Sequence, residues 1–175
     1  MYDLRSMSNT RDEHLLDALL DSWERNNTIL LNLLRVVPED ALGTRPMEGS
    51  PSIAQLFAHI HYVRLVFISE DAPEFAAPLP EEEWPVKHDR DRLAQQLTES
   101  AATVRRAVKG RLESGRAMDR HFDHPILFFQ HMIWHEGYHH GQIKLALKLA
   151  GRPLSNEAAG PISWQVWMRK TGKVF

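Results

Sequence analysis

The sequence predicts an all-α protein, a four-helix bundle with one long crossover connection between helices 2 and 3 and a short C-terminal extension. Three observations carry that expectation. Four long segments repeat apolar residues at the three-and-four spacing of a helical face, and no strand-like alternation competes with them. One proline-rich connection is long enough to run from one end of a bundle to the other. The 175 residues, 43% hydrophobic and 25% charged, suit a single globular domain.

The first helix is expected from about Thr10 to Val36, with Leu16, Leu19, Leu20, Trp23, Leu30 and Leu34 on one face. Pro38 ends it, because proline cannot continue the hydrogen-bond ladder. Residues 1–9 read as a flexible N-terminal arm. The second helix follows Ser50-Pro51-Ser52, which pairs a capping residue with a proline at or near a helix start. Its apolar face holds Ile53, Leu56, Phe57, Ile60, Val63 and Phe67. Between Asp71 and His88 the pattern dissolves into prolines at 73, 78, 80 and 85, with Glu81-Glu82-Glu83 among them, so this stretch reads as the crossover. The third helix should span Asp89 to Leu112, with Leu93, Leu97, Ala101, Val104 and Val108 inward and a charged, solvated outer face. The fourth should run from near Pro125 to Ala150, where Gly151 and Pro153 supply a stop signal. The bundle thus occupies 10–153. The remainder, 154–175, is an extension whose Trp164 and Trp167 read as a short helical turn over a bundle seam, with a dimer contact as the alternative.

Composition narrows the function. Net charge is −2, from 21 basic and 23 acidic residues, which lacks the basic footprint that phosphate neutralisation demands and argues against a nucleic-acid binder. No apolar run approaches the ~20 residues needed to span a bilayer, and the polar N-terminus does not resemble a signal peptide. A cytoplasmic protein is the expectation. The chain has no cysteine, so a transition-metal site must use histidine and carboxylate ligands, and a thiol nucleophile must arrive as a cosubstrate.

The stretch His135-Glu136-Gly137-Tyr138-His139-His140-Gly141-Gln142 carries the strongest chemical signal. Residues four apart on a helix lie one turn above each other, so neighbouring imidazoles there can reach one ion at about 2.0–2.1 Å for zinc. His131, His135 and His139 continue this step along the fourth helix. Eight residues rise about 12 Å, so the outer two cannot share an ion, and one adjacent pair must find a further ligand on another helix. Helix 2 offers His59 and His61, which point to different sides; His59 lies on the apolar stripe, where an imidazole needs a hydrogen-bond or metal partner. His14, His88, His121 and His124 read as solvated side chains. Gly137 and Gly141 each cost about 1 kcal/mol inside a helix relative to alanine, which suggests close approach by another helix. Gln142, three residues after His139, reads as a pocket residue able to orient a ligand.

Ser52-Ile53-Ala54-Gln55-Leu56-Phe57-Ala58-His59-Ile60, followed later by His135-x-x-x-His139-His140-Gly141-Gln142, resembles the DinB/YfiT-like superfamily. Pro38 to Pro46 also looks like that family's first inter-helix loop. The resemblance implies a four-helix bundle in which a histidine triad, here His59, His135 and His139, binds a divalent metal ion, zinc or nickel. It implies a homodimer and activity as a metal-dependent hydrolase or as a transferase using low-molecular-weight thiols. The family often carries arginine where this chain has His140, a departure that leaves the triad untouched.

Three histidines leave positions open on a metal, as catalytic sites require, so a metal-dependent enzyme acting on a small molecule is the favoured reading. A non-catalytic, metal-stabilised or small-molecule-binding bundle is the alternative. A third reading takes His135-Glu136-x-x-His139 as the H-E-x-x-H pattern of zinc peptidases, with Glu136 as general base and Glu157 as third ligand. Adjacent helical residues diverge by about 100°, so Glu136 should instead point away from the histidines and serve a neighbouring helix.

Overall fold

The computed structural model describes the backbone of residues 4–86 and 89–170, with side chains from residue 13 onward. Six helices and no strand occur among the described residues: α1 (Leu4–Val36), α2 (Ile53–Asp71), α3 (Arg90–Glu113), α4 (Pro125–Leu149), α5 (Asn156–Ile162) and α6 (Trp164–Met168). Single 3-10 turns at Glu39–Ala41 and Pro73–Phe75 punctuate the connections. No described helix is long and apolar enough to cross a membrane.

Local chemistry sets the boundaries. Ser52 caps α2, its hydroxyl accepting from the Gln55 backbone N–H while the Gln55 side chain accepts from the Ser52 N–H. Asp89 caps α3 through the Arg92 N–H. At the end of α4, Gly151 takes φ +73°, and the N–H groups of Gly151 and Arg152 return to the carbonyls of Lys148 and Leu147. α1 begins at Leu4, ahead of the expected Thr10, since neither glycine nor proline interrupts residues 4–10. Residues 1–3 of the expected arm, His88, and residues 171–175 of the extension lie outside the described residues.

The four long helices pack through α2 on α3 and α4, α1 on α3 and α4, and α3 on α4. Their apolar faces form two clusters. One gathers Leu30, Leu34, Ile53, Phe57, Leu97, Ile143 and Leu147; the other gathers Trp23, Ile68, Val104, Val108, Phe128, Phe129 and Met132. Full burial of each large side chain contributes about 1.5–3 kcal/mol. Between the clusters, every long helix turns polar at the same level: Asn26 and Asn27 on α1, Arg64 on α2, Ser100 on α3 and Glu136 on α4 are all buried. This layer positions the functional site.

Two sequence expectations require correction. Gly137 and Gly141 are exposed, and a Cβ at either would meet nothing within 4 Å, so no helix approaches there. The close approach occurs at Gly110, where a Cβ would collide with the Phe75 ring lying across α3. His121 and His124 are exposed but partnered: His121 Nδ1 lies 2.8 Å from the buried Asp71 carboxylate, and His124 caps α4 by accepting from the Ile126 N–H. In the extension, Ala159 and Val166 are the buried apolar contacts, while Trp164 and Trp167 remain about two-fifths exposed as α5 and α6 lie on α1.

Candidate metal centre

At the level of the polar layer, α2 and α4 bring His59, His135 and His139 together. One nitrogen from each lies within 4.8 Å of the others. The Nε2 atoms of His135 and His139 are 3.0 Å apart, close to the separation of about 3.3 Å for two nitrogens on a tetrahedral zinc. The His59 ring stands edge-on to His139 at 4.7 Å between centroids and 5.3 Å from His135. The helical spacing therefore selects the pair 135 and 139, and α2 contributes the histidine on its apolar stripe. His131 and His61 lie outside the group. His61 is buried against α3, its Nδ1 2.9 Å from the Gln96 carbonyl, and the His131 ring centroid is 6.2 Å from that of His135.

Hydrogen bonds aim the rings. Gln142 Oε1 lies 2.7 Å from His139 Nδ1, the geometry for accepting from Nδ1–H and leaving Nε2 unprotonated. Glu83 Oε1 lies 2.7 Å from His59 Nδ1, the geometry that leaves Nε2 of His59 unprotonated in the same way. His135 Nδ1 is buried with no hydrogen-bond partner. Burial lowers the pKa of all three imidazoles; for His135, the neighbouring His139 and His59 add to the effect and bring it down to about 3. Near neutral pH the three rings are therefore neutral donors with lone pairs available. That donor set fits a borderline divalent cation such as zinc or nickel.

Glu136 belongs to the other side of α4. It is 1% exposed, and its carboxylate takes Arg64 Nε at 2.6 Å and Arg64 Nη2 at 2.8 Å, with Asn26 Nδ2 at 2.5 Å. Both oxygens are engaged inside the core, so the H-E-x-x-H reading has no general base at this position. Glu157 is exposed on the first turn of α5 and is not a member of the histidine group.

Sequence reasoning missed Glu83 and Trp84. The Trp84 indole stacks on the His59 ring at 4.4 Å between centroids and 8° between planes, and its carbonyl accepts from Gln55 Nε2 at 3.0 Å. No periodicity marks a loop that folds back onto a helix; the only signal was an acidic run ending in an aromatic residue.

The DinB family model matches residues 7–157, and so spans all four long helices and the histidine group. The chain belongs to the DinB family. No curated protein and no solved structure matches it. Family membership and the three-histidine cluster are together compatible with metal binding.

Proposed function

We propose that this DinB protein is a metal-dependent enzyme that holds one divalent ion, zinc or nickel, on His59, His135 and His139, within a four-helix bundle crossed over between α2 and α3. The observation that carries this reading is the convergence of three neutral imidazole nitrogens from two helices within 4.8 Å. Such an ion supplies a Lewis acid that activates water for hydrolysis or orients a thiolate for transfer. The protein's own part is to fix the donors: the Arg64–Glu136 pair locks α2 against α4, and Gln142 holds the His139 ring in one tautomer. Because the chain has no cysteine, the transferase reaction takes its thiol from a small-molecule cosubstrate. Homodimerisation and a cytoplasmic location complete the reading.

The test is metal analysis of untagged protein followed by turnover with small thiols, electrophiles and hydrolysable esters. Alanine at position 59, 135 or 139 should sharply lower bound metal per chain, whereas His61→Ala and His131→Ala should not. Gln142→Ala should weaken metal binding about 10–100-fold and leave the fold intact. Full metal retention in His139→Ala overturns the assignment. Metal binding without turnover of any substrate class points to the non-catalytic alternative.

A further inference from the structure

The connection between α2 and α3 does more than span the helices. After Pro73–Phe75 it folds back along α2 and places Glu83 and Trp84 on His59. We propose that this connection is a working wall of the metal centre, with Glu83 as the positioning residue for His59. The inference rests on the metal-binding reading above and adds a residue to it.

Three observations converge. A carboxylate can only accept, so the 2.7 Å contact requires the proton of a neutral His59 on Nδ1 and the lone pair on Nε2. The stacked indole fixes the plane of the same ring. The Trp84 carbonyl is in turn tied to Gln55, whose side chain also closes the cap of α2, so the loop and the ligand-bearing helix are held by one residue. The three histidines are consequently unequal. His59 is backed by an anion, His139 by the neutral Gln142 amide, and His135 Nδ1 by no hydrogen-bonding group. Carboxylate backing raises the basicity of an imidazole ligand and sets its orientation. Glu81 and Glu82, exposed in the same run, provide internal controls of equal charge.

The experiment uses the full-length, untagged protein and Co2+ as the probe, followed by its d–d absorption, with His59 tautomers in the metal-free protein read by long-range 15N–1H NMR. Glu83→Ala should lower Co2+ affinity about 10–100-fold without altering the shape or intensity of the d–d bands, and should shift His59 from the Nδ1–H to the Nε2–H tautomer. Glu83→Gln, which retains an acceptor oxygen, should recover much of the affinity; Glu81→Gln and Glu82→Gln should match the wild type. If the wild-type chain takes up no Co2+, the metal-binding reading falls and this inference falls with it. If the wild type binds Co2+ and Glu83→Ala binds it equally well with an unchanged His59 tautomer, only the role of Glu83 is lost. Changed d–d bands in Glu83→Ala would make the carboxylate a direct ligand and overturn the positioning role, and an equal loss in Glu82→Gln would reduce it to bulk charge.

Discussion

Two polar clusters lie at the same height between α2 and α4, and they are built to opposite specifications. In the first, Arg64 and Glu136 are almost fully buried, and every charged atom is matched: two ion-pair contacts to Glu136, one bond from Asn26, and bonds from Arg64 Nη1 to Asn27, the Leu97 carbonyl and Ser100. Trp23 stacks beneath the guanidinium at 4.8 Å, so all four long helices meet on one arginine. In the second, three groups of the same kind face one another; burial depresses the protonation of all three, and neighbouring imidazoles add to this at His135 and His139. Complementary charges saturate each other and hold helices; like donors do not, and their convergence makes sense as chemistry toward a cation. Glu136 and His135 are adjacent in sequence yet serve different clusters, because successive helical side chains diverge by about 100°.

The largest test of this contrast is to break each cluster and compare. Arg64→Ala or Glu136→Ala strands a charge in the core and should cost about 3–5 kcal/mol in urea unfolding of the metal-free protein. His139→Ala should leave metal-free stability near wild type while removing metal binding. Glu136→Gln, which keeps hydrogen bonds to Arg64, should be less stable than wild type but retain its metal. Equal stability losses in Glu136→Ala and His139→Ala would erase the distinction.

A second prediction concerns acid. The folded protein holds His135 at a pKa of about 3 against an ordinary 6.5, with His59 and His139 shifted the same way. Between those two values the unfolded chain binds more protons than the folded one, so stability falls as pH drops from about 6.5 toward 3 and is fully present above that window. Thermal melts of metal-free wild type against His135→Ala should show a shallower acid loss in the variant. The smallest effect lies on the outer face of α4. Gly137→Ala and Gly141→Ala should each stabilise by up to about 1 kcal/mol in the same unfolding assay, because nothing opposes the added methyl, whereas Gly110→Ala should destabilise by forcing Phe75 aside.

Features governed by local rules were legible in the sequence. The cap ahead of α2, the stop at Gly151, and the apolar faces of α2 and α3 follow from residues a few positions apart, and so does the pairing of His135 with His139. His59 was legible because an imidazole on an apolar stripe needs a partner, and Glu136 because its angle on the helix excludes the histidine side. What escaped was long-range. The glycine pair on α4 looked like a packing notch, yet only tertiary structure decides which glycine a ring from another segment crowds, and Phe75 crowds Gly110. Arg64 carries no sequence mark of its network, whose partners come from three other helices. Glu83 and Trp84 sit in a loop whose path no periodicity encodes, and His121 finds its carboxylate partner, Asp71, at the end of α2.

Arg25 offers a last consequence. Its guanidinium, steadied by Asp21 on the preceding turn of α1, collects the carbonyls of Val166 at 2.6 Å, Arg169 at 2.9 Å and Trp167 at 3.3 Å. The final carbonyls of a helix have no partners of their own, and here a side chain from another helix serves as their cap. This partly solvent-exposed latch adds to the Asn32 bond to the Ile162 carbonyl and to the buried Ala159 and Val166, and the extension is expected to open as a unit while the long helices stay folded. Amide hydrogens of α5 and α6 should exchange ahead of those in the polar layer. Loss of the latch in Arg25→Ala should open the segment from Ser155 to Arg169 to protease long before the histidine group is disturbed.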